Sequence, residues 1–156
     1  MSTVATWQTD STSSEITEQL AERLGAAVKG GEVIELISDL GGGKTTFVRG
    51  FARGMGSLDR VASPTFTISR IYQAGEKQLY HFDFYKLHEP DSIAEELKEV
   101  LEEPQVVTIV EWGDIMRDVL PAKRLTVTIE KTPTDGRRIL FSAPESLQYL
   151  VEAVRT

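Results

Sequence analysis

The segment that most restricts what this chain can fold into runs from residue 32 to residue 56. Glu32-Val33-Ile34-Glu35-Leu36-Ile37 is a β-rich run of strand length, Ser38-Asp39-Leu40-Gly41-Gly42-Gly43 is a glycine-rich loop, and Lys44-Thr45-Thr46-Phe47-Val48-Arg49-Gly50-Phe51 opens a helix that ends near 54–56. Strand, glycine loop and helix N-terminus in that order form the layout of a phosphate-binding P-loop, G-x-x-x-x-G-K-[ST]. There backbone N–H groups cradle phosphates, the Lys reaches the β and γ oxygens, and the hydroxyl binds Mg²⁺. Gly43, Lys44 and Thr45 fill the last three positions, while the first is Ser38 rather than Gly. Ser is small enough for a crowded turn, and Gly41 and Gly42 let the loop turn its amides inward. A plain glycine turn capping a helix would use the same residues. Placement between a buried strand and the positive end of a helix dipole favours the phosphate reading. Thr46 stands where it either donates to an α-phosphate oxygen or caps a backbone group.

Such a site needs carboxylates that hold Mg²⁺ directly or through water, supplied from the ends of neighbouring strands. Two qualify. Asp83 ends Leu79-Tyr80-His81-Phe82-Asp83, and Glu111 ends Val106-Val107-Thr108-Ile109-Val110-Glu111. Carboxylates at the C-terminal edge of buried strands face the ligand crevice of α/β sheets; a turn cap for Asp83 and a solvent-facing charge for Glu111 are the plainer uses. Ser63-Pro64-Thr65, between the loop helix and the next strand, is either an ordinary chain break or a segment whose Thr65 hydroxyl touches Mg²⁺ or the terminal phosphate. His81 reads as a packed histidine, since no second His or Cys gives metal spacing. Trp112 serves the core or a partner surface. Glu95, Glu96, Glu99, Glu102 and Glu103 make a solvated helix face, and Arg137 and Arg138 lie beside Gly136 in a C-terminal hairpin.

Hydrophobic periodicity fills in the rest. Thr12 and Glu15 have capping-box spacing, and Ile16, Leu20, Leu24 and Val28 predict a helix over 13–28. A hairpin is expected from 66–72 and 78–83 around Ala74-Gly75-Glu76-Lys77, a helix over 91–101, and a fully buried strand over 105–111. A second antiparallel pair, 125–130 with 138–141, turns at Pro133-Thr134-Asp135-Gly136, and a last helix covers 144–154. The expectation is one α/β domain over 1–156, P-loop NTPase-like, with a mixed, partly antiparallel sheet flanked by helices.

Composition narrows the function. The 156 residues carry 17 Lys plus Arg against 24 Asp plus Glu, a net charge of −7, which argues against binding nucleic acid unaided. Cys is absent, excluding thiol chemistry, disulfides and thiolate metal sites. Asn is also absent, so the Asn-Lys-x-Asp segment with which a GTPase reads guanine cannot exist. No apolar run approaches the roughly 18–20 residues that span a bilayer, and residues 1–10 lack signal-peptide organisation; no membrane partner and a cytoplasmic location are expected. A small P-loop kinase would need a basic lid, and no Arg-rich lid is present. A nucleotide-gated interaction module with negligible intrinsic hydrolysis is the other alternative.

Taken together, Asp39-Leu40-Gly41-Gly42-Gly43-Lys44-Thr45-Thr46-Phe47-Val48-Arg49-Gly50, Ser63-Pro64-Thr65-Phe66-Thr67, His81-Phe82-Asp83-Phe84-Tyr85-Lys86-Leu87 and Val110-Glu111-Trp112 resemble the bacterial TsaE (formerly YjeE) family, in order and spacing, over nearly the whole chain. The family usually shows Gly-Asp-Leu-Gly-Ala-Gly-Lys-Thr-Thr, and this chain departs at Ser38 and Gly42. The resemblance implies an ATPase required for threonylcarbamoyl modification of the adenosine next to the anticodon. It would act with TsaD and TsaB, reset their complex through Mg-ATP binding and hydrolysis, and meet tRNA only through them. By matching positions, it implies that residues 39–46 bind ATP, with Lys44 and Thr45 serving phosphate and Mg²⁺. Glu111 would hold Mg²⁺, Asp83 would assist Mg²⁺ or the hydrolytic water, and Thr65 would lie in a switch-like loop. Trp112 would stand near the site or the partner surface, and Gly136-Arg137 would approach the adenine.

Overall fold

The computed structural model describes residues 4–38, 43–62, 68–85, 87, 89 and 91–155. Its elements are β1 (Val4–Ser11), α1 (Ser14–Ala27), β2 (Val33–Ser38), α2 (Lys44–Met55), β3 (Ser69–Ala74), β4 (Lys77–Asp83), α3 (Asp91–Glu102), β5 (Val106–Glu111), β6 (Leu125–Lys131), β7 (Arg137–Pro144) and α4 (Gln148–Arg155). Short 3₁₀ turns at Gly113–Met116 and Glu145–Leu147 follow β5 and β7. The strands form one seven-stranded sheet in the order β1-β7-β6-β2-β5-β4-β3. Its middle, β6-β2-β5-β4, is parallel, and antiparallel strands close both sides. Among the described residues no helix is long and apolar enough to cross a membrane.

Alternation along the strands divides the apolar residues between two cores. Ile34, Leu36, Leu79, Val107 and Ile109 face a core completed by Leu20 and Leu24 of α1, Phe47, Val48 and Phe51 of α2, and Leu150, Val151 and Val154 of α4. Val33, Phe82, Val106 and Val110 face the other side, where Ile93, Leu97 and Val100 of α3 cover them. All six residues of β5 are buried, the signature of a central parallel strand covered on both faces.

The sequence reading differs from the structure at several places, among them the first hairpin, whose strands extend to Ala74 and from Lys77 so that only Gly75 and Glu76 form the turn. Ser13, not Thr12, caps α1: its hydroxyl accepts from Ile16 N at 3.2 Å, and its backbone is extended. The last helix begins as a 3₁₀ turn and becomes α-helical only at Gln148. β1 was not expected, because Trp7 is its one large apolar residue apart from the exposed Val4; it is an edge strand whose inward side is only half buried.

Two helices meet unusually closely where the loop helix is held. A Cβ on Gly50 would lie 2.2 Å from Glu18 O, one on Gly54 2.0 Å from Glu22 O, and one on Gly25 2.1 Å from Phe51 O. The backbones of α1 and α2 therefore touch, and Arg49 and Arg53 tie the outer rim to Glu18 and Glu22. These pairs hold both α2 arginines against α1.

Candidate functional site

Three parallel strands end side by side at one edge of the sheet. β5 lies between β2 and β4, with Leu36 opposite Glu111 and Asp83 opposite Glu111 in register. Neighbouring strands are about 4.8 Å apart, so the C-terminal end of β2 and the two strand-end carboxylates lie close together. The period of two places His81 and Asp83 on the face of β4 that carries Leu79, and Glu111 on the face of β5 that carries Ile109. That is the face covered by α2.

α2 begins there. Gly43 is its N-cap with φ 102°, a left-handed conformation that favours glycine, and among the described residues no side chain caps the helix. Its first amides thus point out of the helix toward the strand ends, with the positive end of the dipole behind them. Lys44, the first helical residue, has a side chain 10% exposed. Its Nζ donates to Ser38 O at 3.1 Å, lies 3.9 Å from Glu111 Oε1, and sits 5.3 Å from the centre of the Trp112 ring. Thr45 and Thr46 follow in the first turn, both half-buried.

Glu111 is 3% exposed, which rules out the solvent-facing charge. Its Oε2 accepts from His81 Nε2, and the histidine is buried as expected but does more than pack. Asp83 accepts from Tyr85 N at 3.0 Å, so it is a turn cap as well as a neighbour of Glu111. Burial raises the Asp83 pKa, and the Glu111 charge pushes it the same way; the Tyr85 amide, His81 and Lys44 oppose this incompletely. Two carboxylates on adjacent strand ends, one already reluctant to ionise, suit a site completed by a cation. Among the described residues no three or more His, Asp or Glu form a metal cage. The arrangement fits Mg²⁺, which commonly takes one or two carboxylates, a hydroxyl and phosphate oxygens rather than an all-protein shell.

Trp112 is 39% exposed, packs against Tyr85 with ring centres 5.0 Å apart and planes tilted by 46°, and adopts φ 57°, a rare conformation for a bulky residue and one that functional sites retain. It belongs to the rim, not the core. On the other side of α2, a cavity of about 130 Å³ opens between Ser13 and Thr17 of the α1 segment, Gly43 and Thr46, and Gly136 and Arg137. Arg137 Nη1 donates to Gly136 O at 2.9 Å. The structure therefore gathers Gly43, Lys44, Thr45, Thr46, Asp83, Glu111 and Arg137 around one helix end. Asp39, Leu40, Gly41, Gly42 and Thr65 lie outside the described residues. The sequence reading missed the His81–Glu111 bond and the walls of the cavity contributed by Ser11, Ser13 and Thr17. The two-residue spacing of His81 and Asp83 on one strand face was the available signal for the first; for the second, Ser11 belongs to β1, which periodicity does not predict, while Ser13 and Thr17 lie in the predicted helix segment but what they face across the fold is not a local property.

The class defined by this geometry is a single α/β domain carrying an anion-ready helix N-terminus and paired carboxylates at the C-terminal edge of a parallel sheet. Comparison with known proteins narrows the class. A family model described as Threonylcarbamoyl adenosine biosynthesis protein TsaE matches residues 11–139. The chain is 42% identical over 129 residues to the tRNA threonylcarbamoyladenosine biosynthesis protein TsaE of Bacillus subtilis (strain 168), covering 83% of this chain and 80% of that one. With the protein of the same name from Streptomyces coelicolor it shares 34% over 119 residues, 75% of this chain and 80% of that one. The crystal structure of Bacillus subtilis YdiB superposes with a TM-score of 0.75 at 33% identity, covering 99% of this chain and 96% of the other. The chain belongs to the TsaE family.

Proposed function

We propose that this chain is an ATP hydrolase required for threonylcarbamoyladenosine modification of tRNA next to the anticodon, acting with TsaD and TsaB and driving their cycle by Mg-ATP binding and hydrolysis. The observation that carries this reading is the convergence of Lys44, Glu111 and Asp83 on the uncapped N-terminus of α2. In this reading residues 39–46 and Thr65 bind the phosphates, with the amides of the α2 terminus as donors and Lys44 as the cation. Thr45, Glu111 and Asp83 hold Mg²⁺, whose chemistry is to neutralise charge on the transferring phosphoryl group. Asp83 also orients the hydrolytic water. The nucleoside extends toward Arg137 and the cavity beside Thr46. Residues 1–156 act as one cytoplasmic domain. Its charge of −7 makes tRNA an indirect partner, reached through the TsaD and TsaB complex.

Lys44 connects nucleotide to partner surface. It is held by Ser38 O and lies over Trp112, so a phosphate that draws it away also loosens the exposed Trp112–Tyr85 pair on the rim. Binding thereby changes the surface offered to a partner, and loss of the terminal phosphate changes it back. The test is tRNA modification reconstituted with TsaD and TsaB, with and without this chain and ATP. Modification that requires both supports the reading, and full modification without either removes it. Turnover of the isolated chain equal to turnover beside the partners would count against partner control. Phosphate release without any acceptor separates hydrolase from kinase.

A further inference from the structure

The buried His81–Glu111 contact has no part in the reading above. His81 is 1% exposed and Glu111 3%. A carboxylate only accepts, which assigns the proton of the His81 Nε2–Glu111 Oε2 hydrogen bond to the ring nitrogen. Nδ1 is buried and has no hydrogen-bond partner among the described residues. A buried ring nitrogen left unpaired costs free energy, and an apolar side chain at this strand position would avoid that cost. What the imidazole adds is one donor aimed at one oxygen of Glu111.

We propose that His81 is a positioning residue: its Nε2–H holds Glu111 Oε2 so that Oε1 stays turned toward Lys44 and the place of Mg²⁺ and phosphate. Glu111 needs a holder because its side chain has three rotatable bonds and stands in register with a second carboxylate, Asp83, whose charge repels it. Strand alternation places His81 two residues before Asp83 on the same face of β4, so one strand delivers both the neighbour and the holder. Hydrogen bonds of this outer kind fix metal-binding side chains and are commonly worth tenfold or more in metal affinity. The proposal rests on Glu111 serving Mg²⁺.

The experiment titrates the full chain with a fluorescent non-hydrolysable ATP analogue in excess MgCl₂ and in EDTA, which gives the factor by which Mg²⁺ strengthens binding. Glu111→Gln should lose most of that factor; if it keeps the factor, the reading of Glu111 is wrong and the role of His81 goes with it. With Glu111→Gln sensitive, His81→Leu and His81→Asn, whose amide is too short to reach, should each lose about tenfold of the factor. His81→Gln, whose amide nitrogen stands close to the Nε2 position, should restore it to within about threefold. A wild-type factor in folded His81→Leu or His81→Asn, or its loss in folded His81→Gln, overturns the proposal, and thermal unfolding establishes which variants are folded. A second readout needs neither nucleotide nor metal: ring ¹⁵N spectra of the unliganded wild-type protein should show the Nε2–H tautomer, and the Nδ1–H tautomer would overturn the proposal even if every variant failed to fold.

Discussion

Glu32 and Glu111 lie at opposite ends of the parallel sheet, equally buried at 4% and 3% exposure, yet they are finished differently. At Glu32, Oε1 accepts from Gly30 N at 2.7 Å, and Oε2 accepts from Lys29 N and from the Tyr149 hydroxyl, both at 2.6 Å. Burial and that carboxylate together raise the Tyr149 pKa above its ordinary value of 10.0, so the phenol remains a donor. Among the described residues the Glu111 carboxylate takes one hydrogen bond, from His81, and its other oxygen faces a lysine at 3.9 Å, beyond hydrogen-bond range. A buried carboxylate saturated by donors is a structural pin, here fastening the α1–β2 loop to α4. One that keeps an oxygen turned toward a lysine beyond hydrogen-bond range has capacity left for a ligand. The difference is one of satisfaction rather than burial, and it separates function from stability along a single sheet.

The comparison breaks most visibly at the ligand end. Lys44→Ala and Glu111→Gln should each lower ATP turnover, measured with TsaD and TsaB present, by roughly 10²- to 10³-fold, because each removes a preorganised charge acting where charge develops. Thermal midpoints should stay close to wild type. Unchanged turnover in both variants would undo the contrast.

At the pinned end the expected effect is on stability. Glu32→Ala takes the acceptor from two backbone amides and a phenol in a part-buried loop, and should cost about 2 kcal/mol, a fall in Tm of roughly 4–8 °C. Turnover per folded molecule should hold. Gly50→Ala tests the clamp on which α2 depends: its methyl would meet Glu18 O at 2.2 Å, forcing two helix backbones apart at a cost of about 1–3 kcal/mol. The displacement carries Lys44 with it, so this variant, unlike Glu32→Ala, should also weaken nucleotide binding in a fluorescence titration.

How much of this was legible in the sequence follows from range. β2, α2, β4 and β5 were readable because each announces itself locally, through an apolar run, a glycine loop or a helical period, and together they put Lys44, Asp83 and Glu111 at one edge of the sheet. β1 was not, because its one buried-side aromatic, Trp7, finds its meaning only against Phe141 of β7, more than a hundred residues away. The helix clamp was equally silent: Gly25 and Gly50 look like propensity defects until α1 and α2 are laid together. His81 was read correctly as packed, but its bond joins strands thirty residues apart in sequence, and register between parallel strands is not a local property.

The smallest effect concerns Asp83, intermediate between the two glutamates: capped by Tyr85 N, half-buried and beside Glu111. Its folded pKa is raised above the ordinary 3.8, chiefly by burial. Between 3.8 and the raised value the folded chain keeps a proton that the unfolded chain has lost. Stability of the nucleotide-free protein therefore falls as pH rises through that window, and the penalty persists above it. Asp83→Asn preserves the oxygen that accepts from Tyr85 while removing the charge. At pH 7 it should raise Tm by about 1–3 °C relative to wild type, and the gain should shrink as the pH is lowered through the window toward 3.8. Saturating Mg²⁺ and nucleotide should reverse the order, since only the wild-type carboxylate gains a cation. Melting curves across pH, with and without Mg-nucleotide, measure both effects, and an Asn variant less stable than wild type at pH 7 without ligand would show that Asp83 is a structural pin like Glu32.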